Sequence, residues 1–541
     1  MRVSRGSPGL SCGSGRLGQD PKSISREIAT ARRAQTRGVA KLAAPYRPRR
    51  PEDTVLHRVV RRHLETFIAH AAEAYDSPLP KYVRDELRAY VKCGIFAHGF
   101  LRARCDACNH DLLVAFSCKG RSVCPSCAGR RMNNTAAHMV DRVIPALPVR
   151  QWVLSLPFDL RARAAYDART LTRVIRAFAS ALAARHRHFA LSVGIGESVH
   201  AAITFVQRFG SSLNLNVHLH VIVVDGVFSR NDGALLFTPA PPPTRDELHR
   251  VITEVKRKLT QLDEPTHVQT TLGACMRLAT ARGDVRAMSI DGAISDEESE
   301  PRATESRAVD DAGFNLDASV HIDGDDDFGR EHLLRYCARP ALSLARLTEL
   351  PNGMLAYRIK RLRNRRSKVR HMTPLELLAR VAALVPPPRH PLVRFHGAFA
   401  PRSRWRRDVV PKPPPNEHQH EPNKPPVTER SHAQRAAHPA SALTPRATRL
   451  APNVLSVRHW DRLRSGALLA ASPRVDWPTL MRRTFDADVL ECPKCTGRLR
   501  VIAVVDDPAT ARAILDELAI RGPPPPLRAR DPATLQPNLV H

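Results

Sequence analysis

Lysine, aromatic residues and long apolar runs are all scarce in this 541-residue chain. Twelve lysines stand against 72 arginines, and only 5% of the residues are aromatic. No apolar run reaches about 18 residues, so no segment is expected to span a bilayer. The opening residues, MRVSRGSPGLSCGSG, contain no apolar stretch of signal-peptide length. Together these absences lead to the expectation of a cytoplasmic protein with no membrane partner. Acidic residues are also the minority: Lys+Arg 84 against Asp+Glu 53 leaves a net charge of +31. That excess says little about fold, but it favours a phosphate polymer as partner. An Arg-, Ala- and Pro-rich composition alone would produce the same charge. With 26 glycines, 45 prolines and 43% hydrophobic residues, the chain is neither collagenous nor disordered throughout.

Length predicts three or four units. Residues 1–50 read as a basic, aperiodic leader. Residues 51–145 begin with apolar residues at helical spacing, VLHRVVRRHLETFIAHAAEAY, and continue into a cysteine block. Residues 146–385 alternate strand-like and helix-like segments. QWVLSLPF (151–158), AAITFVQRF (201–209), VHLHVIVV (217–224) and FNLDASVHI (314–322) read as strands. Residues 171–192, 245–262 and 327–336 read as helices, and Thr373-Pro374 marks another helix start. An acidic stretch at about 285–312 reads as an exposed insertion. Residues 386–455 are rich in Pro and His and read as a linker, and residues 456–525 as a small C-terminal unit. The expected fold class is α+β and multidomain.

The eleven cysteines do not form a disulfide framework. Cys105-Asp-Ala-Cys108 and Cys124-Pro-Ser-Cys127 have the spacing of two zinc knuckles, which predicts one closed, structural Zn²⁺ site. His110 is a possible substitute ligand, and Cys118 reads as a small buried apolar residue. Cys492-Pro-Lys-Cys495 offers half a site followed by a strand, and this half could pair with distant cysteines, with another chain or with nothing. Arg102, Arg104, Lys119, Arg121, Arg130 and Arg131 decorate the cysteine block, and they read either as DNA contacts or as a solvated surface. Asp323 to Asp327 has the look of a calcium loop, but Leu334 occupies the place of its bidentate glutamate, so a solvated turn is preferred.

His218-Leu219-His220 lies inside an otherwise apolar strand. Alternation puts both imidazoles on one face, an incomplete divalent-metal site with open positions. The pattern alone is a weak signal. The run FVQRFGSSLNLNVHLHVIVVDGVF, however, resembles the histidine-hydrophobe-histidine segment of HUH single-strand nucleases. In particular it resembles that of the rolling-circle transposases of the insertion-sequence ninety-one family. RARCDACNHDLLVAFSCKGRSVCPSCAGRRM resembles that family's N-terminal zinc-binding domain, and EHLLRYCARPALSLARL its nucleophile helix. TPLELLARVAALVPPPRHPLVRFHGAFAP and WPTLMRRTFDADVLECPKCTGRLRVIA resemble its later segments.

The resemblance implies a helical and zinc-ribbon N-terminal domain followed by an antiparallel HUH sheet with flanking helices. It implies that His218 and His220 hold a catalytic Mg²⁺ or Mn²⁺ and that Tyr336 attacks single-stranded DNA, leaving a 5′-phosphotyrosine. Gln207 is a candidate third ligand or a hydrogen-bonding neighbour of the ligands, and Arg335 and Arg339 could contact phosphate. Members with two tyrosines place them four residues apart; His332 stands at the earlier position here, so the chain resembles the one-tyrosine branch. The alternatives are a zinc-ribbon DNA-binding protein, an inactive remnant of such a transposase, or an RNA-binding or replication-initiation protein.

Overall fold

In the computed structural model the fold is organised around the strand that carries the two histidines. Residues 49–75, 77–260, 270–280, 307–359, 369–411, 448–449, 477–485 and 488–520 are described. The predicted leader up to residue 48, most of the predicted acidic insertion and most of the predicted linker lie outside them. The end of that insertion, 307–312, lies inside, where Ala308–Asp311 is a strand of the main sheet rather than part of an exposed loop.

The chain enters through two amphipathic helices, α1 (Val55–Tyr75) and α2 (Lys81–Lys92), whose apolar stripes bury Leu56, Val60, Leu64, Val83 and Leu87. A hairpin follows, β1 (Phe100–Cys105) and β2 (Asp111–Ala115), then α3 (Pro125–Arg142). Pro at its first position suits α3, because the missing N–H would have no intrahelical partner there. Next come β3 (Val149–Ser155), α4 (Phe158–Tyr166), α5 (Ala168–Ser192), β4 (Ser198–Val199), β5 (Ala201–Phe209) and β6 (Leu215–Val224). The hairpin of β7 (Gly226–Asn231) and β8 (Ala234–Pro239) leads to α6 (Arg245–Leu259) and α7 (Thr271–Thr280). A full capping box between Thr244 and Glu247 starts α6. Beyond the acidic segment come β9 (Ala308–Asp311), β10 (Phe314–Ile322) and α8 (Asp327–Cys337). Then follow β11 (Leu347–Glu349), β12 (Leu355–Arg358), β13 (Val369–Met372), α9 (Pro374–Leu384), β14 (Val393–Gly397) and α10 (Arg406–Val409). Last are β15 (Thr448–Arg449), α11 (Trp477–Phe485), β16 (Leu499–Val505) and α12 (Pro508–Glu517).

The main sheet has six strands in the order β14-β5-β6-β3-β10-β9, all antiparallel. Strand β6 is flanked on both sides, so its near-continuous apolar run is explained by burial. Its Leu219, Val221 and Val223 join Val174, Phe178 and Leu182 of α5 in one core. His218 and His220, of opposite parity, face the other way. A buried ion pair, Arg150 Nη2 to Asp225 Oδ2 at 2.6 Å, ties β3 to the end of β6. Arg150 also donates to the Ala318 carbonyl, linking β3 to β10.

Two sequence expectations need correction. The linker does not begin at residue 386, because β14 pairs with β5 in the main sheet and α10 follows it. Gly397 permits this closure: its φ is +59°, and an added Cβ would collide with the His200 carbonyl. Nor is the C-terminal unit separate, since β16 pairs with β1 along its whole length and completes the three-stranded sheet β16-β1-β2.

Candidate active site and metal centres

The helix α8 lies against the histidine face of the sheet. Asp326 caps its start by accepting from Gly329 N, and Pro340 follows soon after its end. This brings the Tyr336 ring to 5.6 Å from the His220 ring, in an edge-to-face arrangement. The two imidazoles of β6 have centroids 4.9 Å apart.

Each imidazole is oriented through Nδ1. That of His218 donates to the Asn216 carbonyl at 3.1 Å, which leaves Nε2 with its lone pair. His220 Nδ1 is held at 2.8 Å by the side-chain amide of Gln151, on β3, which also reaches Cys337 Sγ. Its Nε2 is buried without a hydrogen-bond partner. Burial pushes His218 down to about 4 and His220 well below the usual histidine range. Both rings are therefore neutral near pH 7, the form in which imidazole ligates metal.

Gln207 faces His218 directly across β5 and β6. Its Nε2 donates to the carbonyls of Tyr336, at 3.0 Å, and Cys337, at 2.9 Å, at the end of α8. Its Oε1 is buried and unpartnered. One glutamine thus anchors the tyrosine helix and presents a spare oxygen beside the histidines. Arg339 stacks over the Tyr336 ring at 4.7 Å and over Phe209 at 5.4 Å. Arg335, in contrast, is engaged by Glu331 one turn earlier. Gln151 was missed in the sequence. Only its parity on β3, shared with Val153 and Ser155 opposite the histidines, could have marked it.

The cysteines assemble differently from the expectation. Cys105 and Cys108 do not meet Cys124 and Cys127. Instead Cys93, Cys118, Cys124 and Cys127 form one four-sulfur cluster, and Cys105, Cys108, Cys492 and Cys495 another. The cause is topological. Cys124 is the N-cap of α3, which sits against the end of α2 where Cys93 lies, whereas Cys105 ends β1, whose neighbour β16 carries Cys492 and Cys495 just before it. Cys118, expected to be a plain apolar filler, belongs to the first cluster. His110 belongs to neither.

In the first cluster Cys93 Sγ lies 3.6 Å from Cys124 Sγ and 3.7 Å from Cys127 Sγ, and Cys118 Sγ lies 3.5 Å from Cys127 Sγ. Four thiolates at about 2.3 Å from a tetrahedral Zn²⁺ would be about 3.8 Å apart, so the donor set fits that ion. The Cys118 amide points at Cys93 Sγ and the Gly120 amide at Cys118 Sγ. The Arg49 guanidinium, 3.3 Å from Cys93 Sγ, offsets the negative charge of a four-thiolate centre.

The arginines of the block divide. Arg102 and Arg104 both pair with Asp111, and Arg121 donates to the carbonyls of Pro387 and His390. Lys119, Arg130 and Arg131 are exposed, although Arg131 reaches the Lys119 carbonyl.

Among the described residues no helix is long and apolar enough to cross a membrane. No curated protein and no solved structure matches the chain. Two family models do. Residues 59–156, which hold the whole first cysteine cluster, match “Transposase zinc-binding domain” of the insertion-sequence ninety-one type, and residues 201–407, which hold His218, His220, Gln207 and Tyr336, match “Putative transposase”. With the zinc-binding domain first and the transposase domain after it, the chain belongs to the transposases of the insertion-sequence ninety-one family.

Proposed function

We propose that this transposase is an HUH-type nuclease that cuts and rejoins single-stranded DNA through Tyr336, with His218, His220 and Gln207 holding a divalent ion, Mg²⁺ or Mn²⁺. The observation that carries the reading is convergence: two imidazoles, an unpartnered amide oxygen and one tyrosine meet on a single face of the central sheet. For His220 to present Nε2, the Gln151 amide turns its oxygen toward Nδ1–H; amide orientation is set by the network it serves. A bound ion would supply charge neutralisation at a phosphate oxygen.

The chain's own groups do the rest. The Tyr336 oxygen attacks phosphorus and the P–O3′ bond breaks. The phenolic proton is passed on and the 3′-oxygen leaves as a hydroxyl, so the 5′-phosphate stays on the tyrosine. Because the phosphodiester is exchanged rather than hydrolysed, a 3′-hydroxyl can reverse the step without ATP. Arg339, stacked on the tyrosine ring, offers its guanidinium to the approaching phosphate. With His332 one turn before Tyr336, each chain has a single nucleophile on this helix.

The test is a denaturing gel of the purified protein with labelled single strands from both flanks of its gene, with Mg²⁺ or Mn²⁺ or with chelator. A metal-dependent covalent band is expected. Salt-sensitive binding of both flanks without any band would favour a DNA-binding protein that has lost catalysis. Gln207→Ala removes both the spare oxygen and the tie to α8. It should lower the adduct-forming rate by about 10- to 100-fold, as loss of such supporting groups does in metal sites. Gln207→Glu, which keeps an oxygen, should retain metal affinity within severalfold in a Mn²⁺ titration. Equal metal affinity in wild type and Gln207→Ala would remove Gln207 from the ligand set.

A further inference from the structure

The second cysteine cluster joins residues 390 positions apart, and half of it lies outside both matched segments. Cys105 Sγ is 3.5 Å from Cys495 Sγ, and Cys108 Sγ is 3.6 Å from Cys492 Sγ. All four sulfurs lie within 4.8 Å of one another, as in the first cluster.

The backbone is as informative as the sulfurs. At the first pair, the Cys105 amide donates to the His110 carbonyl and the Asn109 amide to the Cys105 carbonyl, both at 3.0 Å. At the second, the Cys492 amide donates to the Gly497 carbonyl at 2.7 Å and the Thr496 amide to the Cys492 carbonyl at 3.0 Å. The residue after each second cysteine is left-handed, Asn109 at φ 56° and Thr496 at φ 58°. Thr is an unfavourable residue for that conformation, so the turn is imposed by what surrounds it. The Lys494 amide points at Cys492 Sγ at 3.5 Å. Gly497 lies so close that an added Cβ would be 3.0 Å from Cys105 Sγ and 3.3 Å from Cys495 Sγ. These are two matching knuckles, face to face. Cys124-Pro-Ser-Cys127 shares the bond from the fifth residue's amide to the first cysteine's carbonyl, but there Cys124 caps a helix and the chain after Cys127 continues that helix.

We propose that Cys105, Cys108, Cys492 and Cys495 bind a second Zn²⁺, and that this ion fastens the C-terminal segment 488–520 to the zinc-binding domain. Four protein thiolates close the coordination sphere, so the ion is structural and does no chemistry on DNA. Binding releases the thiol protons to solvent and couples metal affinity to folding of the segment. Besides the β1–β16 ladder, the segment has little apolar surface to hold it. Its buried contacts are two small clusters, Phe100, Leu113, Val505, Ala511 and Leu515, and Leu499 with Ala103 and Leu112, while Val501, Ile502 and Val504 on β16 are exposed. A clasp made of metal replaces the core that so short a unit cannot bury. The site does not depend on the nuclease reading.

The full-length protein, purified reduced and without chelator, should carry two zinc ions per chain by native mass spectrometry. Cys492→Ser/Cys495→Ser should carry one. By hydrogen exchange, the amides of residues 499–505 should then lose protection at least tenfold, while residues 215–224 keep theirs. If the double variant loses both ions through general misfolding, Cys495→His decides, because this exposed position can supply an imidazole and should restore two ions. One ion in the reduced, folded wild type would overturn the proposal. So would two ions in the double variant, or failure of Cys495→His to hold a second ion in a folded chain.

Discussion

Tyr336→Phe should erase the covalent protein–DNA band and slow strand cleavage by roughly a thousandfold or more, the scale on which removing a nucleophile acts. The substitution is well isolated. The ring that packs edge-on to His220 and lies beneath Arg339 remains, and only the hydroxyl is lost. DNA binding should stay within about threefold, since phosphate contacts supply most of that affinity. Two other tyrosines are poor substitutes. Tyr357 is buried, with its hydroxyl accepting from Ser343 N, and Tyr90 is buried against His57. Burial raises the pKa of both phenols, which disfavours the phenolate. A persistent adduct in Tyr336→Phe, mapped by peptide mass to another residue, would remove Tyr336 from its assigned role. A lost adduct together with lost DNA binding would point instead to a damaged fold, which a thermal melt would reveal.

The parts of this site that were legible in the sequence are those set by local periodicity. A strand with period two fixes which side chains share a face, so β6 and the common side of His218 and His220 could be read directly. The helices α5, α6, α8 and α9 were visible from apolar spacing and from starts such as Thr373-Pro374. What could not be read was pairing at long range. Spacing alone made Cys105 and Cys108 look like partners of Cys124 and Cys127, because it carries no information about β1 meeting β16. A signal did exist after the first pair: Asn109 suits a left-handed turn, whereas Ala128-Gly129-Arg130-Arg131-Met132 continues a helix. Charge was misleading in a similar way. Arg102 and Arg104 look like free cations until Asp111, a few residues on, returns across the hairpin to pair with both. Strand β14 was hidden by its surroundings: a short segment after three prolines reads as linker unless β5 is known to need a neighbour.

Arg483→Ala should destabilise the protein by about 3–5 kcal/mol, the cost of removing one partner from a buried ion pair. The guanidinium of Arg483, on α11, is almost wholly buried. It binds Asp141 of α3 and, at 2.7 Å, Glu331 of α8. Asp141 is fully buried, and Glu331, which also holds Arg335, nearly so. Removing the shared cation leaves two carboxylates facing each other with less compensation, on the helix that carries Tyr336 five residues later. Urea denaturation should show the loss, and Asp141→Asn in the same chain should recover part of it by removing one of the stranded charges. A change of less than about 1 kcal/mol would show that Asp141 and Glu331 find other partners. The same variant tests how the C-terminal residues act on the site. If the second zinc and Arg483 fasten the same segment, Cys492→Ser/Cys495→Ser has little left to release once Arg483 is gone, and the two changes combine to less than their sum. Additive losses would mean that α11 is held on α3 by Arg483 and by Leu480 against Ala137 alone, and that the zinc clasp secures only β16 and α12.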